Sequence, residues 1–116
     1  MAISMYVASV PVFSQMLNSL SDILHKAEAH ATAKNIEPGV FLQARLSPDM
    51  FPLLRQVQIA ADFSRGVCAR LAGVDVPKVE DSQQSFADCQ ALIADTLAFI
   101  AAITPEQIDG QEAREI

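Results

Sequence analysis

The chain has 116 residues, 51% of them hydrophobic and 19% charged, with a formal net charge of −6 and a mean hydropathy of +0.24. This describes one globular domain over 1–116, large enough to bury a core without staples, and it excludes a disordered chain. The negative charge, the lack of Trp and the single Tyr6 exclude a nucleic-acid or anionic-membrane surface.

The charge is uneven. Residues 1–73 carry six basic and five acidic side chains, whereas residues 74–116 carry two basic and nine acidic ones. All four basic residues between Pro38 and Gly73 are arginines, Arg45, Arg55, Arg65 and Arg70, a residue type suited to carboxylates and phosphates. The plainer expectation is that they pair with the acidic last third. The two cysteines, Cys68 and Cys89, are too few for a disulfide framework or a zinc ribbon, and both fall on apolar helix positions. They read as reduced core thiols of a cytoplasmic protein. The N-terminus carries no signal-peptide pattern, and no apolar run is long enough to span a bilayer.

In chain order, the first helix is the clearest. Tyr6, Val10, Phe13, Leu17, Leu20, Leu24, Ala27 and Ala31 recur at alternating steps of four and three, the spacing of a bundle seam. Met16 and Ile23 widen that stripe on one flank. Pro11 sits near the start, where its missing N–H is tolerated, and the helix should run to about Lys34. Asn35 to Gly39 reads as a break with Pro38-Gly39 as turn chemistry, followed by a short connector from Val40 to Leu46. Ser47-Pro48-Asp49 has the chemistry of a helix start, with Pro52 as the alternative start. The second long helix then reaches about Ala72, with Leu54, Val57, Ala61, Ser64, Cys68 and Leu71 on its main stripe and Gly73 as its left-handed cap.

Val74 to Gln84 is a linker holding Pro77 and the Glu80-Asp81 pair. The third long helix begins at Ser85, with Asp88 three residues on as a capping-box-like pair. Cys89, Leu92, Ile93, Thr96, Leu97, Phe99, Ile100 and Ile103 give it a wide apolar face. Thr104-Pro105-Glu106-Gln107 signals one further turn, ended by Gly110, and the polar tail stops on the apolar Ile116.

Helix two is apolar on more than one side. At 100° per residue, Ile59 and Phe63 point away from the Val57–Ala61–Cys68 stripe and lie near Gly66, which permits close approach. Another helix is expected to pack on Ile59, Phe63 and Gly66, supplied by a second copy of the chain or by residues outside it. Arg55, Gln58, Asp62 and Arg65 form a polar stripe on the same helix, a candidate anion or carboxylate site in which Asp62 orients an arginine. The plainer reading of that stripe is a solvated face.

Other candidate chemistry is weak. His25 and His30 are five apart, so they face different ways and cannot chelate one ion. Asp22 and Lys26, at i and i+4, should form a helix-stabilising pair. Cys68 has Arg65 three residues before it, but its apolar register argues for an inert thiol. Ser9, Ser64 and Ser85 are read as having no base at helical spacing, Ser85 having a capping role, and each of the four glycines stands alone, so there is no phosphate loop.

Two stretches carry a family likeness. Met5-Tyr6-Val7-Ala8-Ser9-Val10-Pro11-Val12-Phe13 resembles the opening of an uncharacterised bacterial family among the DinB-like, or YfiT-like, helical bundles. The run from Leu42 through Arg45-Leu46-Ser47-Pro48-Asp49-Met50-Phe51-Pro52, continuing to Ala69-Arg70-Leu71-Ala72-Gly73, resembles the same family. The resemblance implies an antiparallel four-helix bundle, often dimeric, whose fourth helix follows a segment like Arg114-Glu115-Ile116. It therefore implies a fourth helix that is missing here or supplied by a partner. Catalytic members of the wider superfamily bind a divalent metal through three histidines, one on the second helix and two on the last, and act on thiols. Helix two here has no histidine, and Gln58 and Asp62 occupy that region, so the triad carries over to no residue. No metal and no other cofactor is expected.

The expected protein is thus an all-α, up-down antiparallel bundle with three main helices. It is expected to work as a homodimeric interaction or small-ligand-binding module, with the ligand unidentified. The alternative is an enzyme related to metal-dependent thiol transferases whose metal site needs a further segment or a partner chain.

Overall fold

The computed structural model describes residues 3–115; among them it has five helices and no strand. These are α1 Val10–Ala33, α2 Pro38–Leu42, α3 Leu53–Ala72, α4 Phe86–Ala101 and α5 Pro105–Ile108. Ile116, the apolar end of the tail, lies outside the described residues.

The seam of α1 resolves into two depths. Val10, Leu17, Leu24 and Ala31, seven apart, are buried, while Phe13, Leu20 and Ala27 between them are half-buried. Asn35 adopts a left-handed φ of 56° just after α1, and Ile36 N–H closes onto Ala31 O at 2.9 Å, so the expected break is a capped helix end. Pro38 does not form a turn there. It opens α2, where its fixed φ suits the first helical position.

Ser47 does not start α3. Its hydroxyl bonds Asp49 within a local turn, and Pro52, extended at φ −65° and ψ 162°, is the residue before the helix. Gly73 ends α3 at φ 72°, with Val74 N–H bonding Ala69 O at 3.0 Å, as its position predicts. Ser85 caps α4 by accepting the Asp88 N–H at 3.1 Å. The Asp88 carboxylate reaches back to Gln84 N–H at 3.0 Å, and these bonds hold its pKa below the usual carboxylate value. Thr104 and Gln107 form a full capping box on α5, and Gly110 follows at φ 81°.

Helix α4 is the central element, packed along both α1 and α3, while α1 and α3 touch each other only sparingly. Seen down the bundle, the three helices occupy three corners of a square with α4 between the other two. Leu17, Leu24, Val57, Cys68, Phe86, Ile93 and Ile100 meet in the core. Tyr6 N–H bonds Asp109 Oδ1 at 3.0 Å, which puts the end of α4 beside the start of α1, so these two helices are antiparallel.

The bundle is all-α as expected, with one difference in direction. Gln83 lies beside Gln58, Thr96 beside Arg65 and Arg114 beside Leu71, so α4 runs parallel to α3. The physical reason is the linker. Helix α3 is roughly 30 Å long at 1.5 Å per residue, and the extended residues 74–85 are long enough to carry the chain back along it. Arg55 Nη1 donates to Asp81 Oδ2 at 2.7 Å and Gln58 Nε2 to Gln83 Oε1 at 3.0 Å, pinning this crossover to the start of α3.

Candidate functional site

Two surface features stand out. The first is an apolar groove of about 420 Å³ between α1 and α3 at the unfilled corner of the square. Phe13, Met16, Leu20 and Ile23 line one side, and Ala60 and Phe63 the other. Met16 is 63% exposed and Phe63 64%, with Val12 and Ile23 close behind. These exposures follow from the α1 pattern. Helix α4 covers one flank of the seam, so the widening at Met16 and Ile23 falls on the flank that nothing covers. Ala60 also joins this groove to a second hollow formed by Met50, Phe51 and Ile59. Arg55, Asp62 and Arg70 stand as a polar rim beside Ile59 and Phe63. An apolar centre with a charged rim is the anatomy of a docking surface.

The residues singled out for an interface separate here. Phe63 is exposed in the groove and Ile59 is half-buried at its edge. Gly66 is buried under its own helix, where an added Cβ would stand 2.7 Å from Arg70 Nη1, so the room it leaves is taken by Arg70.

The second feature is a cleft of about 410 Å³ between α3, α4 and the crossover. The polar stripe of α3 turns towards the crossover and α4. Gln58 and Arg65 are buried, which removes them from a simple solvated face. Arg65 Nη1 donates to Thr96 Oγ1 at 3.0 Å, Thr96 Oγ1 donates to Leu92 O at 2.8 Å, and Arg65 Nη2 bonds Asp62. Arg65 Nε has no partner among the described residues, and an unpaired buried N–H costs roughly 1–3 kcal/mol. Arg55 and Asp62 are only partly buried, Arg55 on Asp81 and 5.9 Å from the Phe51 ring centre. The stripe therefore splits into an outer pair and an inner pair, and only Arg65 lines the cleft.

The cleft also holds residues that the helix-two stripe did not point to: Gln83, Asp95 and Thr96. Thr96 left a signal in the sequence, being a polar residue on the apolar face of α4 and 1% exposed. Asp95 and Gln83 left none, because their placement depends on the crossover.

The remaining candidates do not assemble. His25 and His30 are both exposed, His30 with its ring edge towards Phe41 at 5.8 Å. Among the described residues no group of three or more His, Cys, Asp or Glu is placed to hold a metal. Asp22 and Lys26 do not form the expected ion pair; the two among the described residues are Arg55–Asp81 and Arg65–Asp62. Only Arg55 of the four arginines pairs with the acidic last third. Cys68 and Cys89 are free and buried, and burial pushes the Cys68 thiol up to about 11 and raises that of Cys89. No helix is long and apolar enough to cross a membrane among the described residues.

Comparison with known proteins agrees with this architecture. A crystal structure of a DinB family member protein from Shewanella denitrificans superposes with a TM-score of 0.85 at 38% sequence identity. The match covers 89% of this chain and 59% of that one, so the chain spans well under two thirds of that protein's length. No curated protein matches the chain. Residues 5–116 match the model of a domain of unknown function, DUF1993. The chain therefore belongs to the DUF1993 family and has a DinB-like helical fold.

Proposed function

We propose that this protein is a non-catalytic interaction module that works as a homodimer, each copy closing the apolar groove of the other. The observation that carries the reading is the groove between α1 and α3, whose lining from Val12 to Ile23 and from Ala60 to Ser64 contains no charged side chain.

A second copy suits the groove for two reasons. The same surface carries both the hollow and its own projecting side chains, Met16, Ile23 and Phe63, which is the self-complementarity a two-fold interface requires. The area is close to the lower limit of a specific interface. The most exposed lining side chains offer roughly 400 Å² per copy, and two copies with Met50 and Phe51 approach the ~1,200 Å² of a specific interface. The net charge of −6 opposes pairing weakly, because its acidic excess sits on the crossover, α4, α5 and the tail, none of which lines the groove. The two buried free thiols suit a reducing compartment such as the cytoplasm.

Native mass spectrometry and sedimentation velocity test the reading. The expected result is a species of two 12.5 kDa chains. Phe63→Asp and Met16→Asp are expected to give monomers of unchanged helicity, since both side chains are exposed in the single chain. A wild-type monomer at high micromolar concentration, or dimers that survive both substitutions, would overturn it.

A further inference from the structure

The crossover between α3 and α4 has no secondary structure, and every residue from Gly73 to Ser82 is exposed. Helix–helix connections in bundles usually run to about 2–8 residues, and this one is longer. Among the described residues no backbone–backbone hydrogen bond involves 75–84, so the backbone there is solvated. What holds it down is side chains. Arg55 Nη1 donates to Asp81 Oδ2 at 2.7 Å, and Gln58 Nε2 donates to Gln83 Oε1 at 3.0 Å. The ion pair is weak, because its side chains are 38% and 46% exposed. Pro77 and Val79 line the cleft between α3 and α4, but Val74, Val76 and Val79 each keep more than a third of their surface in solvent. Little apolar burial therefore opposes release.

Both ends of the crossover are built to survive that release. Helix α3 closes on itself through the left-handed Gly73 and the Val74 N–H on Ala69 O. Helix α4 is capped by Ser85, which accepts the Asp88 N–H. Neither cap uses residues 75–83, so this stretch can lift without unwinding either helix.

We propose that residues 75–83 form a strap that lifts from the α3–α4 cleft and recloses over it as one unit while both helices stay folded, with Arg55–Asp81 and Gln58–Gln83 as its latch. Lifting takes Pro77, Val79, Ser82 and Gln83 out of the cleft wall and widens the approach to its α4 side. One half of the latch is an exposed charge pair, so added salt favours the open form.

Native-state trypsin proteolysis of the full chain, read by mass spectrometry, tests this. Lys78 is the one basic residue between Gly73 and Ser85, so cleavage after it reports the strap. Each rate is divided by that of a free peptide of residues 73–85 carrying the same substitution. Lys78 is expected to be cut first, more slowly than in the peptide, with a urea dependence well below that of global unfolding. Arg55→Gln and Asp81→Asn, which break the latch from opposite sides, are expected to raise the normalised rate by about two- to fivefold with unchanged helicity. Sodium chloride is expected to raise it in the wild type and not in Arg55→Gln. Cleavage as fast as in the free peptide, cleavage with the full urea dependence of global unfolding, or rates unmoved by both latch substitutions would each overturn the proposal.

Discussion

At the scale of single residues, Gly73 is the most constrained position. Its φ of 72° is left-handed, and an added Cβ would collide with the Arg114 guanidinium. That guanidinium donates to Leu71 O at 3.1 Å and places a cation at the carbonyl end of α3. Gly73→Ala is expected to destabilise the fold by roughly 1–2 kcal/mol in chemical denaturation, more than Arg114→Ala at about 1 kcal/mol. The thiols give a pH signature. Burial raises the Cys68 pKa from 9.0 to about 11, so the folded state holds that proton more tightly than the unfolded chain. The stabilisation is complete below about pH 9 and lost as pH rises through about 11. Denaturation midpoints are therefore expected to fall over that window, and to fall less in Cys68→Ala measured against its own neutral-pH value.

Among the elements, α4 carries the most, because it packs on both other long helices. Its start depends on a single side-chain cap, Ser85. Ser85→Ala is expected to cost about 1 kcal/mol, and Ser85→Asp to retain most of the stability. The crossover is held by more exposed contacts. Asp81→Ala removes an exposed ion pair and is expected to change stability by less than about 1 kcal/mol. Gln58→Ala should cost more, because Gln58 is buried and Gln83 would lose its partner. Thermal melts of the two variants check that order. The element readings that the structure altered share a cause. Ser47 and Pro38 have correct local chemistry, for a cap and for a turn respectively. Which proline opens a helix depends on where the following residues find a core, and Leu42 and Val57 find it.

For the whole molecule, the proposed homodimer rests on the unfilled corner between α1 and α3. If two copies close it, the midpoint of thermal unfolding is expected to rise with protein concentration in the wild type and to lose that dependence in Phe63→Asp. The core itself lies between α1, α3 and α4. Leu24→Ala, at a position with no exposure, is expected to cost roughly 2–5 kcal/mol whatever the oligomeric state.

The sequence by itself determined the helices, their apolar stripes and most of their ends. Side-chain periodicity and capping are local properties, readable from Leu17 and Leu24 or from Ser85 and Gly73 without knowing any neighbour. It also marked the excess apolar surface at Phe63, because three helices cannot cover every stripe. The tertiary structure alone decided which neighbour covers each face. A stripe of Arg55, Gln58, Asp62 and Arg65 has the same spacing whether it meets water, a partner or its own chain. Here the return of residues 74–85 along α3 buries Gln58 and Arg65, sets α4 parallel to α3 and brings Thr96 and Asp95 to the cleft. That path is a long-range property of chain length and packing, and no window of a few residues encodes it.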